Sequence, residues 1–95
     1  MIAVTSRLVA QPGREPQLEK LLGELAAQVR SREAGCALFL AARSPHDPRI
    51  FLLIERYVDA LAHAAHANAE HFAAALPDLM ECLEGHPEIA LFHEL

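Results

Sequence analysis

The chain has 95 residues, of which 53% are hydrophobic, and its formal net charge is −5. This length predicts a single domain, residues 1–95, which buries only about 60–65% of the surface that its unfolded chain exposes. The acidic balance and the lack of any Lys or Arg cluster argue against a nucleic-acid partner, whereas the high apolar fraction favours a protein partner.

A strand followed by a helix is predicted at the start of the chain. Ile2–Ala10 alternates in the manner of a strand, and Arg7 is its one charge, directed either to solvent or into a pocket. Pro16 suits a first helical turn, and Gly35 is expected to end the helix as a left-handed cap. The apolar stripe that predicts this helix consists of Leu18, Leu21, Leu22, Leu25 and Val29.

Two further strands are predicted to form a hairpin. They are Cys36–Arg43 and Ile50–Tyr57, and the turn Ser44–Pro48 joins them because its two prolines cannot take part in a ladder. Cys36–Arg43 is apolar on both alternating faces, and Ile50–Tyr57 is so until Glu55. This pattern indicates strands that are covered on both sides.

A second helix and a last strand complete the prediction. Asp59 is a typical N-cap, the helix is expected to span Ala60–Leu76, and Pro77 is expected to end it. Asp78–Gly85 is predicted to be a short helical turn, and Glu88–Leu95 is predicted to be the final strand.

The order strand, helix, strand, strand, helix, strand indicates an α+β fold of the ferredoxin-like, split βαβ type. In this fold a four-stranded antiparallel sheet carries both helices on one face. Since the middle strands are apolar on both faces, the uncovered face needs a cover, most simply the same face of a second copy. We therefore expect a homodimer in which two sheets close into a dimeric α+β barrel.

The cellular location is also predicted from the sequence. The two cysteines, Cys36 and Cys82, have no paired spacing, which is typical of a reducing compartment. The first residues contain no basic region followed by a long apolar core, and no apolar run approaches the roughly 20 residues of a membrane span. A cytoplasmic protein without a membrane segment is expected.

Short motifs lie at the ends of the predicted elements. They are Gln11-Pro12-Gly13, Glu33-Ala34-Gly35-Cys36, Arg43-Ser44 with Asp47-Pro48, Glu55-Arg56-Tyr57, and His66-Ala67-Asn68-Ala69-Glu70-His71-Phe72. Together they resemble the antibiotic biosynthesis monooxygenase (ABM) domains of the dimeric α+β barrel superfamily. The resemblance covers nearly the whole chain.

The chain also departs from the family pattern. His63 stands where the family usually has an apolar residue, and Glu70 stands where it often has proline. The haem-degrading relatives use a tryptophan and an asparagine, but this chain has no tryptophan, and Arg7 or Ser6 stands near the place of the asparagine. Haem degradation is therefore disfavoured.

The resemblance implies a pocket between the sheet and the second helix. It also implies oxidation of a small aromatic quinol or phenol by O₂, without metal, flavin or other cofactor. Such a reaction needs a base that removes a phenolic or enolic proton, for which an imidazole or a carboxylate with a raised pKa is suited. The catalytic candidates are His66 and His71 as proton acceptors, and Glu55 as a group that orients one imidazole.

Further candidates are expected to bind the substrate. Arg7 and Asn68 are suited to stabilise the negative charge that develops on an oxygen atom. Phe39, Phe51 and Phe72 are expected to line the apolar wall of the pocket, and Tyr57 is expected at the dimer interface or at the rim.

Other functions remain open at this point. The chain is alternatively a ligand-binding or isomerising dimer of the same fold, or a structural dimer whose histidines and buried carboxylate are packing residues. His63, His66 and Glu70 lie at i, i+3 and i+7 on one helix face, which is a further possibility for a divalent metal. That spacing matches no strong metal motif, so we expect no metal.

Overall fold

The computed structural model describes all residues from Met1 to Leu95. Its elements are β1 (Ile2–Val9), α1 (Glu15–Arg32), β2 (Cys36–Arg43), β3 (Ile50–Tyr57), α2 (Ala60–Ala67), α3 (Glu70–Cys82) and β4 (Glu88–His93). The strands form one open antiparallel sheet in the order β2-β3-β1-β4. The predicted α+β, ferredoxin-like fold is confirmed. None of the helices combines the length and the apolar composition that crossing a membrane requires.

The helices cover one face of the sheet and bury its alternate residues. On β1 and β3 these are Ile2, Val4, Ser6, Leu8, Phe51, Leu53, Glu55 and Tyr57. The predicted apolar stripe of α1 packs on this face, with Leu18, Leu22, Leu25 and Val29 at most 2% exposed. Each leucine side chain that is removed from water here contributes about 1.5–3 kcal/mol to the free energy of unfolding, so this helix–sheet contact contributes substantially to stability.

The opposite face, which we call the outer sheet face, has no covering element. Thr5 pairs with Ile54 on one side and with Ala90 on the other, and Ile54 pairs with Leu40, so these residues form one row across the sheet. Phe92 of β4 is 55% exposed. The aliphatic and aromatic side chains of this face include Val9, Leu38, Leu40, Ile50, Leu52, Ile54 and Phe92.

Two helices replace the single helix that was predicted over Ala60–Leu76. Asp59 does cap α2 as predicted, because its carboxylate accepts a hydrogen bond from the Ala62 N–H at 2.8 Å. The helix then ends at Asn68, whose side-chain amide donates to the Ala64 carbonyl at 2.8 Å. An asparagine side chain competes in this way with helical backbone bonds. Ala69 is extended (φ −72°, ψ 142°), and α3 starts at Glu70.

Pro77 lies inside α3, so the prediction that it ends a helix is wrong. Proline removes one helical N–H donor and leaves the carbonyl of Ala73 without that partner. Both residues are exposed, so water can satisfy the carbonyl. The helix continues to Cys82 in place of the predicted turn over Asp78–Gly85, and it buries Leu79.

Gly35 lies where α2 approaches the chain before β2. Only Gly13 and Gly85 have positive φ, and α1 already ends at Arg32, so the predicted left-handed cap at Gly35 is wrong. A Cβ atom on Gly35 would lie 2.6 Å from the Cβ of Ala62. Glycine is required here by this close approach and not by its backbone conformation.

Two Gly→Ala substitutions are expected to have opposite effects on stability, because only one of them introduces a steric clash. Gly35→Ala should lower the free energy of unfolding by about 1–3 kcal/mol, because the new methyl group must displace α2. Gly23→Ala, within α1 and with no atom within 4 Å of its Cβ position, should raise it by about 0.5–1 kcal/mol. Urea denaturation of both variants measures this difference, and equal stabilities would contradict the steric explanation.

Candidate active site

A cavity of about 180 Å³ lies between the sheet and the three helices. Of its 18 lining residues 13 are hydrophobic, so its wall is mainly apolar. The polar groups in this wall are Ser6 of β1, Glu55 of β3, and His63 and His66 of α2. An apolar cavity of about 150 Å³ holds one benzene molecule, so this cavity suits a small aromatic compound.

Glu33, directly after α1, joins two histidines from the other helices. The Nδ1 atom of His66 lies 3.1 and 2.9 Å from the two carboxylate oxygens, and the Nε2 atom of His71 lies 2.5 Å from Oε2. The three side chains are only 7% (His66), 9% (His71) and 11% (Glu33) exposed. A carboxylate accepts hydrogen bonds and cannot donate them, so each facing ring nitrogen carries a proton.

This contact determines which nitrogen of His66 is free. With the proton on Nδ1, the neutral ring has its lone pair on Nε2. Nε2 has no protein partner, while every fully enclosed side-chain nitrogen and oxygen atom has one, so Nε2 is accessible. Since His66 lines the cavity, this nitrogen can accept a proton from a molecule bound there.

Three aromatic rings hold the imidazole of His66 in its orientation. The ring centroids of Phe39 and Tyr57 lie 5.6 Å from that of His66, and the centroid of Phe72 lies at 4.8 Å. All three rings are tilted by about 41–45° relative to the imidazole, which is a favourable arrangement for aromatic pairs. The ring therefore cannot turn without displacing its neighbours.

Glu55 provides a second ionisable group in the cavity wall. Its Oε1 accepts a hydrogen bond of 2.5 Å from the hydroxyl of Tyr57, and both residues are buried. Burial raises the pKa of Glu55, although the hydrogen bond from Tyr57 and the nearby His66 and His63 act in the opposite direction. Burial and the Glu55 carboxylate also raise the pKa of Tyr57, so this hydroxyl remains a donor.

Comparison with known proteins identifies the family. Residues 1–78 match the antibiotic biosynthesis monooxygenase family. The chain belongs to this family. No curated protein matches it.

Several solved structures have the same fold as this domain. A Caulobacter crescentus protein, provisionally named as an antibiotic biosynthesis monooxygenase, is 28% identical with a TM-score of 0.94, over 99% of this chain and 89% of that one. A Pseudomonas aeruginosa protein is 30% identical with a TM-score of 0.89, over 99% and 93%. A Mycobacterium tuberculosis protein at 23% identity (TM-score 0.90, over 99% and 94%) shows the fold alone.

The structure of this ABM domain brings together only some of the residues selected from the sequence. His66, Glu55, Phe39 and Phe72 line the cavity. Tyr57 lies behind Glu55 with no exposed surface, not at the rim. The expectation that Glu55 orients an imidazole is corrected, because Glu55 is bonded to Tyr57 and Glu33 contacts the imidazoles.

The remaining candidates lie outside the cavity. Arg7 is exposed on the outer sheet face, because it alternates with the buried Ser6 and Leu8 along β1. Asn68 is exposed and caps α2. His71 lines an open cleft between α1 and α3.

Phe51 also lies away from the cavity, in the core beneath the guanidinium of Arg43, which is 5.2 Å from its ring centroid.

The three metal ligands that the sequence suggested, His63, His66 and Glu70, do not come together in the structure either. Glu70 lines the α1–α3 cleft, while His63 and His66 line the cavity, because the helix breaks between them at Asn68.

Sequence reasoning gave Glu33 no role in the site. One signal was available, since Glu33 places a carboxylate at the C-terminal end of α1. The helix dipole makes that end unfavourable for negative charge. An acid in this position therefore indicates a compensating partner elsewhere in the fold.

The buried state of Glu55 predicts a specific pH dependence of stability. Because the folded pKa is raised, protonated Glu55 contributes stability that is fully present below the unfolded pKa of about 4.3 and is lost as pH rises through the folded pKa. Glu55→Gln removes this ionisation and keeps an acceptor for the hydroxyl of Tyr57. The variant should therefore gain stability relative to the unmodified chain as pH rises over that range.

Denaturant titrations at a series of pH values measure this difference. Glu19→Gln is the matched control, because Glu19 is exposed and makes no side-chain hydrogen bond. Parallel pH profiles for Glu55→Gln and the unmodified chain would show that Glu55 ionises freely in the folded state.

Proposed function

We propose that this ABM-family protein is a cofactor-independent monooxygenase that oxidises a small aromatic quinol or phenol-like substrate with O₂. The observation that carries the proposal is the accessible Nε2 of His66, which the partly buried Glu33 carboxylate fixes as an acceptor in the wall of an apolar cavity. Membership of the ABM family and the name given to the Caulobacter crescentus protein also support it.

In the proposed reaction, His66 Nε2 removes the phenolic or enolic proton of the substrate. The resulting anion is electron-rich at a ring carbon, which forms a bond to O₂ and gives a peroxide. Loss of the remaining proton from that carbon and cleavage of the O–O bond then leave a carbonyl on the ring and release water. The substrate supplies all the electrons, so the reaction balances without another reductant.

The neighbouring residues have supporting roles in this proposal. Glu33 holds the ring of His66 and stabilises the imidazolium that forms when Nε2 takes up the proton. His71 in turn holds Glu33 through the same carboxylate. The raised pKa of Glu55 favours its protonated form, so Glu55 is suited to return a proton to the peroxide.

The apolar wall has two functions in this reaction. Phe39 and Phe72, whose rings lie next to the imidazole of His66, also line the cavity and would contact an aromatic substrate. A cavity with little water keeps the developing anion close to the imidazolium and strengthens their attraction.

Oxygen uptake with reduced naphthoquinones tests the proposal. His66→Gln should lower the enzymatic rate, after subtraction of spontaneous oxidation, by about 10²–10⁴-fold, because glutamine cannot take up the proton. His46→Gln is the matched control, since His46 lies exposed in the β2–β3 turn, and it should leave the rate unchanged. An undiminished rate in His66→Gln would exclude this residue as the base.

The same assay separates the alternatives. If no electron-rich phenol or quinol raises oxygen uptake but such compounds still bind, a ligand-binding or isomerising dimer is the better description. If none binds, the histidines and Glu55 are structural.

We also propose that the chain forms a homodimer through the outer sheet face. Ile54 lies near the centre of this face, between Thr5 and Leu40. A charge there should prevent sheet-to-sheet packing, because an unpaired ion would be buried at the interface. Ile54→Lys is therefore expected to sediment as a 10.4 kDa monomer, whereas the unmodified chain sediments at twice that mass.

Leu61→Lys is the control for this experiment. Leu61 is 80% exposed on α2, on the helical side of the sheet, and its replacement should leave the dimer intact. A monomeric unmodified chain at micromolar concentration would contradict the proposed assembly.

A further inference from the structure

We propose that Glu33, His66 and His71 form a binding site for a divalent transition-metal ion, with Zn²⁺ as the representative ion. A carboxylate oxygen of Glu33, Nδ1 of His66 and Nε2 of His71 all lie within 4.8 Å of one another. This set shares only His66 with the set that the sequence suggested, and it comes from three separate parts of the chain.

The distances between these atoms suit coordination to one ion. Two ligand atoms that are each about 2.1 Å from a zinc ion lie roughly 3.4 Å apart in a tetrahedral site. The Nδ1 atom of His66 is already 2.9 Å from Glu33 Oε2, and the Nε2 atom of His71 is 2.5 Å from it. An ion replaces the protons that now lie between these atoms, so the two nitrogens must move slightly away from the carboxylate oxygen. The ligand atoms that lie up to 4.8 Å apart must at the same time approach each other.

The chemistry of the donors also fits. Two imidazoles and one carboxylate form a typical ligand set for zinc and related divalent ions, and three protein ligands leave a coordination position open. The three side chains are at most 11% exposed, and the ring of His66 is fixed by Phe39, Tyr57 and Phe72. Little ordering of side chains is therefore needed when an ion binds.

An acidic cleft provides an access route to this site. The cleft between α1 and α3 has a volume of about 470 Å³, and His71 forms part of its wall. Its other ionisable residues are three acids, Glu24, Glu70 and Asp78, and one base, Arg32. The excess of negative charge favours the arrival of a cation.

Metal binding would change the tautomer of His66 and so affect catalysis, an inference that rests on the proposed function. An ion on Nδ1 displaces the proton there, so a neutral ring must carry its proton on Nε2. The nitrogen that faces the cavity then becomes a donor and can no longer act as the base. Zinc should therefore inhibit oxygen uptake, and EDTA should restore it.

Isothermal titration with ZnCl₂ at neutral pH tests the site without any substrate. The EDTA-treated and dialysed chain should bind one Zn²⁺ per subunit, and Co²⁺ in its place should give the visible absorption of a low-coordinate site. Glu33→Gln and His71→Ala should each weaken zinc binding at least 10-fold. His86→Ala is the matched control, since His86 is exposed and remote in sequence from the three ligands, and it should retain the affinity.

Two outcomes would overturn the proposal: no zinc binding by the unmodified chain, or zinc binding that Glu33→Gln and His71→Ala leave unchanged. Far-ultraviolet circular dichroism of each variant establishes that it is folded. Because the titration needs no turnover, its result is independent of whether the protein oxidises quinols. A failed oxygen assay together with specific zinc binding would reject the monooxygenase proposal alone.

Discussion

The site depends on one partly buried carboxylate, that of Glu33, which two histidines share. Glu33 follows α1, while His66 and His71 belong to α2 and α3, so a single side chain ties three helices together. A buried carboxylate without hydrogen-bond donors is very unfavourable, whereas one with two imidazole donors is satisfied. The contact between Glu33 and His66 also fixes the tautomer of His66. The packing of the three helices and the proposed proton transfer thus rely on the same carboxylate.

The break between α2 and α3 is what allows both histidines to reach Glu33. On an unbroken helix, residues five positions apart point in directions that differ by about 140°, so His66 and His71 could not contact one carboxylate. Asn68 ends the first helix and Ala69 is extended, which reorients the chain before His71. The break also leaves His66 on the cavity side and His71 on the cleft side.

The sequence predicted the sheet well and the site incompletely, for physical reasons. Hydrophobic periodicity is a local signal, and it located β2 and β3 to the residue and the buried stripe of α1. Along β1, Arg7 and the buried Ser6 lie on opposite faces of the strand. The alternating pattern therefore already indicated that Arg7 lies outside the cavity. The histidine partners of Glu33 could not be predicted in this way. They lie 33 and 38 residues further along the chain, and contacts at such separations depend on how the helices pack, which leaves no local sequence pattern.

The strand β3 links the two faces of the molecule. Glu55 points to the cavity and Ile54 points to the outer sheet face, because successive strand residues face opposite sides. The two side chains of the Glu55–Tyr57 hydrogen bond therefore come from the same strand that carries central residues of the outer sheet face. A cover on that face would restrain β3 and hold the carboxylate against its phenol. Assembly would then act on the site through the rigidity of one strand, even though no outer-face residue lines the cavity.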